Sequence, residues 1–238
     1  MDALSPIPPE VANPAALVCD ADALIQFFVA KQFVPLQVLR NRYGVQPIIV
    51  PEVELELRWT RRYKSTFVPD LTKALATGLL KVCDVSLIAT LGVPATLAAT
   101  AVQQVQDLGA RFALHGGDGE SYTHATALTL GLPALSHDRA ALDVFTEKGL
   151  PVPKTVLRVY DLIVICHRTG VLTTAQCEAF RKALDAANER IFPSVFRRMS
   201  YANAVAQFSP RLFDSACAPS PLPVPETPFA HTIVLKAF

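Results

Sequence analysis

The 238-residue chain has almost no excess of either charge: 22 Lys and Arg stand against 21 Asp and Glu, a net +1. No molecule-wide basic field marks it as a nucleic-acid binder, so any such binding has to rest on local patches. Its five cysteines (Cys19, Cys83, Cys166, Cys177 and Cys217) are odd in number, scattered and never spaced as CxxC. That pattern argues against a disulfide framework and against a zinc site, and a reducing, cytoplasmic setting is the expectation. Met1 to Ala16 holds acidic residues and four prolines where a secretory signal needs a basic stretch and then an apolar one. Long apolar runs are missing too. The longest uncharged stretch, Val85 to Gln106, is interrupted by Gly92 and Pro94 and dotted with Thr and Gln, which predicts a buried helix and no membrane span. There is no internal repeat.

What the chain does have is apolar mass. Hydrophobic residues make up 51%, charged residues 18%, and the mean hydropathy is +0.31, a balance that favours elements buried on both faces, such as parallel strands. Short apolar runs alternate with amphipathic segments, the pattern of βα units. Strands are predicted at Ala16 to Cys19, Gln46 to Val50, Leu80 to Val85 (peripheral), Pro133 to Ser136 and around Val152. One helix is predicted from Ala23 to Tyr43, with Leu24, Phe27, Phe28, Val34, Val38 and Leu39 on its apolar face and a kink at Pro35. Others are expected over Glu52 to Lys64, in a segment ending near Leu108, and over Gly119 to Leu130, Arg139 to Lys148 and Thr155 to Arg168. A last one, capped by Thr173 or Thr174, runs to Arg190 with Glu178–Lys182 and Arg181–Asp185 as ion pairs. Phe192 to Phe213 reads as a further helical layer, and Ala218 to Pro228 holds five prolines in eleven residues before an apolar end, a semi-rigid linker and a docking tail. The division expected is an extension over 1–15, a main α/β domain over 16–172, a helical extension over 173–213 and the Pro-rich tail over 214–238.

Open parallel sheets bind their ligands outside the carboxyl ends of the strands, and acids accumulate at those places in this sequence. Asp20 ends the first strand, with Asp22 available to cap the following helix. Glu56 comes about one helical turn after the second strand, Asp118 and Glu120 open a helix behind Gly116-Gly117, and Asp138 follows the strand Pro133 to Ser136. Any one of these acids is accounted for by capping and by the positive end of a helix dipole. Several carboxylates at one sheet edge repel one another, and divalent cations relieve that repulsion. Oxygen ligands of this kind suit Mg²⁺ or Mn²⁺. Arg58, Arg61, Arg62 and Lys64 follow Glu56 closely and, with Trp59 and Tyr63, form a local patch suited to a phosphate backbone and a stacked base; an ordinary solvated helix face accounts for them equally well.

The ordered set Asp20 with Ala23-Leu24-Ile25, Pro51-x-Val53-x-x-Glu56-Leu57, Gly119-Glu120 with Ala125 and Leu128, and Asp138-Arg139 before Gly149-Leu150-Pro151-Val152 resembles the PIN-domain nucleases, especially the branch that holds the prokaryotic VapC-like toxins. The resemblance spans roughly Ala16 to Leu172. It implies a PIN-like three-layer α/β/α fold with a central parallel sheet, a metal-dependent endoribonuclease activity, and Asp20, Glu56, Glu120 and Asp138 as the catalytic acids. Mg²⁺ or Mn²⁺ would sit among Asp20, Asp118, Glu120 and Asp138, and the partners implied are an RNA substrate, an antitoxin-like protein and a second copy of the chain. Departures from the family pattern are Ala21 and Asp22 where Ser, Thr or Asn is usual, competition between Asp118 and Glu120 for one ligand position, and His137 beside Asp138.

Two other readings fit parts of the same sequence. Asp20-Ala21-Asp22 after an apolar strand resembles the nucleophile motif of haloacid-dehalogenase-type phosphatases, and Gly117-Asp118-Gly119-Glu120 their metal loop. The order argues against that family, because Ser136 follows the acidic loop instead of preceding it and no lysine fills the expected place. A PIN-like protein that serves as a binding subunit is the second, since fold does not settle activity; the retained acids favour catalysis.

Overall fold

The computed structural model describes residues 16–59, 66–137, 139–153, 156–168, 170–189 and 198–208. Five strands, β1 (Ala16–Cys19), β2 (Gln46–Ile49), β3 (Lys81–Val82), β4 (Ala134–Leu135) and β5 (Val156–Leu157), form one sheet in the order β3-β2-β1-β4-β5. Every pairing is parallel. The central strand is apolar throughout because it is covered on both sides. Alternation then sends Leu17 and Cys19 into one core and Ala16 and Val18 into another.

Each core is closed by its own helices. On one face lie α1 (Ala21–Ala30), α2 (Val34–Tyr43), α3 (Pro51–Trp59), α4 (Val68–Ala76), α9 (Val159–Arg168), α10 (Thr174–Ala186) and α11 (Tyr201–Phe208). On the other lie α5 (Val85–Thr90), α6 (Ala95–Ala113) and α7 (Asp118–Leu130). A third cluster, with Phe112 and Phe145 stacked at 4.7 Å, joins α8 (Arg139–Glu147) to α6 and α7. The chain is therefore an α/β protein with helices on both faces of an all-parallel sheet. Among the described residues no helix is long and apolar enough to cross a membrane.

Several elements differ from the sequence reading. The helix predicted from Ala23 to Tyr43 is two helices. Lys31, at φ 51°, ends α1 with its N–H on the carbonyls of Phe27 and Phe28, and Pro35 stands in the first turn of α2, where its missing N–H costs nothing. Val152 lies outside any strand. The fifth strand is Val156–Leu157, where the sequence predicts the start of the following helix. Val85 to Gln106 is divided between α5 and α6, with Gly92 at φ 91° between them, and α6 runs on past Leu108 to Ala113. The residue N-terminal to α1 is Asp20, so Asp22 falls in the first turn and is not the cap. Thr173 caps α10 in a reciprocal capping box with Gln176. Glu178 there pairs with Arg181, three residues on, at 2.7 Å, and also accepts from the backbone N–H of Tyr201.

Candidate active site

From β1 the chain moves outward to β2 and β3 on one side, then returns to lay β4 and β5 on the other. The direction of travel reverses between β1 and β4, the place where parallel sheets open a crevice at their carboxyl edge. Three helix N-termini meet there. Helices α1 and α3 leave the ends of β1 and β2, while α7 runs back towards the start of β4 and so also begins at this edge. Their first turns carry Asp22, Glu52, Glu54, Asp118 and Glu120, the sign that the positive end of each helix dipole favours.

Asp20 sits at the centre. Its N–H donates to Leu135 O at 2.9 Å, tying β1 to β4, and its carbonyl accepts from Leu24 N at 3.1 Å to start α1. The residue is 4% exposed, and its side chain makes no cap bond. Burial first, and then the charges of Glu120, Asp22 and Glu56, push its carboxyl well above the usual range. Glu56 extends from α3 so that its carboxylate lies against the Cα of Gly119, a spot that any side chain at that position would claim. It too is raised, by desolvation of that carboxylate and by Asp22 and Asp118. Tyr122 is raised by desolvation, Glu52 and Asp118. Through these effects Asp20 feels Glu120, Asp22 and Glu56, Glu56 feels Asp22 and Asp118, and Glu52 joins the group through Tyr122.

Four other acids have cations of their own. Asp70 pairs with Lys31, Glu54 with Arg58, Asp161 with Arg158 and Glu178 with Arg181. Among the described residues, no Lys, Arg or His makes an ion pair with Asp20, Asp22, Glu52, Glu56 or Asp118. Glu52 also buries its Oε2 with no hydrogen-bond partner among them. Glu120 has His124 Nε2 at 3.7 Å from its Oε1, on the next turn of α7. Cys19, directly behind Asp20, is fully buried; desolvation and the Asp20 charge hold its thiol protonated, so the donors at this edge are hard carboxylate oxygens and suit Mg²⁺ or Mn²⁺. Among the described residues, no three His, Cys, Asp or Glu side chains stand together closely enough to hold a metal ion.

Of the acids expected from sequence, Asp20, Glu56, Asp118 and Glu120 come to this edge. Asp138 lies outside the described residues, as do Arg61, Arg62, Tyr63 and Lys64. The strand register pairs Cys19 with Leu135, so the residue level with Asp20 is Ser136. Arg58 is turned towards Glu54, which it holds through Nε at 3.0 Å and Nη2 at 2.7 Å. His137 is part-buried beside the end of β4. Three residues at the edge were not anticipated as site residues. Glu52 reads in sequence as one more acid of a solvated helix. Ser136 is buried with no hydrogen-bond partner for its Oγ among the described residues, and a hydroxyl ending an apolar strand was the signal for it. His124 is fully buried edge-on to the Phe145 ring at 5.7 Å; a lone histidine among Thr and Ala gave little sign in sequence that it would stand behind Glu120. No protein-family model, curated protein or solved structure matches this chain.

Proposed function

We propose that the chain is a PIN-like, divalent-metal-dependent endoribonuclease, with its active site at the crevice around Asp20. The observation that carries this reading is the set Asp20, Asp22, Glu56 and Asp118 at the β1/β4 reversal, Asp20 among them buried, none of which makes an ion pair with a Lys, Arg or His among the described residues. A buried, unpaired carboxylate is costly and is tolerated where function requires it. Repulsion among several of them is relieved by a divalent ion.

Asp20 and one of Asp118 and Glu120, with Asp138 from outside the described residues, are the residues that would hold Mg²⁺ or Mn²⁺, since no three of the described acids stand together closely enough to do so. When bound, the metal would supply positive charge against the phosphate oxygens and acidify a water. The chain's own part is to fix the donors. Asp20 is held by the β1–β4 hydrogen bond and the start of α1, Glu120 is backed by His124, and Glu56 is lodged against Gly119 where it can orient a water or take up its proton. In the net reaction a water oxygen bonds to phosphorus and the ester P–O bond breaks, leaving one phosphate end and one hydroxyl end, with no aspartyl-phosphate at Asp20. A toxin role, with an antitoxin-like partner or a second copy of the chain, belongs to the same reading through the family resemblance.

The test is cleavage of a mixed single-stranded RNA pool by the purified full-length protein in EDTA, Mg²⁺ or Mn²⁺. Wild type is expected to cut only with metal, and Asp20→Asn and Glu120→Gln to lose about 100-fold or more in rate, as expected for loss of a metal ligand. Absence of cutting across metals and salt, or release of phosphate from small esters in its place, would contradict it.

A further inference from the structure

Helix α3 divides its surface between two tasks. Val53 and Leu57 face the core, and Glu56 reaches the crevice. Trp59, three residues beyond Glu56, is 78% exposed, and Leu55 beside it is 58% exposed. Three residues along a helix is about 4.5 Å of rise and about 60° of rotation, so the indole stands next to the Glu56 side of the crevice, turned away from the core. Arg58 and Glu54 occupy a different side of the helix and satisfy each other. Trp59 and Leu55, one turn apart, together leave an apolar face of α3 open to water beside the acidic cluster.

We infer that Trp59 is a stacking platform for an unpaired base of a single-stranded RNA whose phosphate lies at the acidic crevice. The inference rests on the nuclease reading and adds to it the residue of this chain that would hold a base of the substrate. An indole offers a flat π-face that any base can cover, and only an unstacked base has a face free to do so. A protein partner suits the place less well. Specific protein interfaces need about 800 Å² from each side, whereas one Trp supplies about 150–250 Å². The other exposed large apolar side chains among the described residues, Val85, Leu97 and Leu114, belong to the α5–α6 part of the chain and do not extend the α3 patch.

The chain contains a single tryptophan, so its intrinsic emission reports on this one platform. The full-length Asp20→Asn protein, chosen to keep the strand intact, is titrated in Mg²⁺ with a short single-stranded RNA, with the same RNA as a duplex, and with an abasic strand of equal length. The single strand is expected to quench the emission, and the duplex and abasic strand to leave it nearly unchanged. Followed by anisotropy of labelled RNA, Trp59→Ala should weaken single-strand binding about 10-fold, the size of one base–aromatic stack, with Trp59→Phe recovering part of it. Because Trp59 is exposed, neither change threatens the fold, and circular dichroism checks that. Tight RNA binding with unmoved emission, Trp59→Ala binding as wild type, or quenching by duplex equal to that by single strand overturns the stacking role. An emission change that tracks protein concentration without RNA also overturns it, in favour of self-association. If wild type cuts RNA while Trp59 proves indifferent, the platform fails and the nuclease reading stands; if the base-dependent quenching appears without metal-dependent cutting, the reverse holds.

Discussion

Burial places Asp20 under a penalty that Glu120, Asp22 and Glu56 increase. Its folded-state pKa is raised, so the folded chain holds a proton that the unfolded chain has released. Metal-free stability should therefore fall as pH climbs from the ordinary aspartate value of about 3.9 through the raised one. Asp20→Asn removes the charge and keeps the shape, so without metal its thermal midpoint at neutral pH should exceed that of wild type, by about 2–4 °C for each kcal/mol relieved, and depend less on pH. Differential scanning calorimetry in EDTA measures both; a lower midpoint for the variant would mean that Asp20 is a structural cap. At this scale the sequence was informative wherever position follows from connectivity. Asp20 ends a strand and Glu120 opens a helix, so each is fixed by its neighbours in the chain. Glu52 was missed because only the tertiary fold decides which of the acids on α3 turn towards the crevice, and His124 because its meaning depends on Glu120 one turn away.

At the scale of elements, the joints between strands and helices decide which residues reach the edge. The β5–α9 joint is held by Asp161, fully buried, which accepts from Arg158 through the backbone N–H at 3.0 Å, Nε at 2.8 Å and Nη2 at 2.8 Å. Burial raises the Asp161 pKa while those three bonds lower it, the balance expected of a buried ion pair. Asp161→Ala would remove the three bonds that Arg158 makes to this buried carboxylate, and urea denaturation should show a loss of about 3–5 kcal/mol; a loss below about 1 kcal/mol would mean that the pair does not hold the joint. This joint also shows why the fifth strand was misplaced. Val156 and Leu157 are apolar and continue without a turn signal into the apolar spacing of α9, so periodicity alone merges the two-residue strand with the helix. The Ala23 to Tyr43 segment failed in the opposite sense: Lys31 adopts a left-handed conformation that nothing in its own side chain announces.

For the molecule as a whole, two cores on opposite faces leave the carboxyl edge of the sheet as the place where backbone direction, helix dipoles and acidic side chains converge. The parallel α/β class was legible because the apolar runs of β1, β2 and β4 lack the alternation of a half-solvated sheet. The strand order, and with it the reversal between β1 and β4, came only from the fold. The proposed activity requires that this edge bind a divalent cation, and isothermal titration of Mn²⁺ into the metal-free full-length protein measures whether it does. Wild type should bind Mn²⁺ and, at about 100 times the dissociation constant, gain about 2.7 kcal/mol of stability, with Asp20→Asn and Glu120→Gln binding about 10–100-fold more weakly. Wild type that takes up no Mn²⁺ or Mg²⁺, or an Asp20→Asn variant that binds as tightly as wild type, would contradict it.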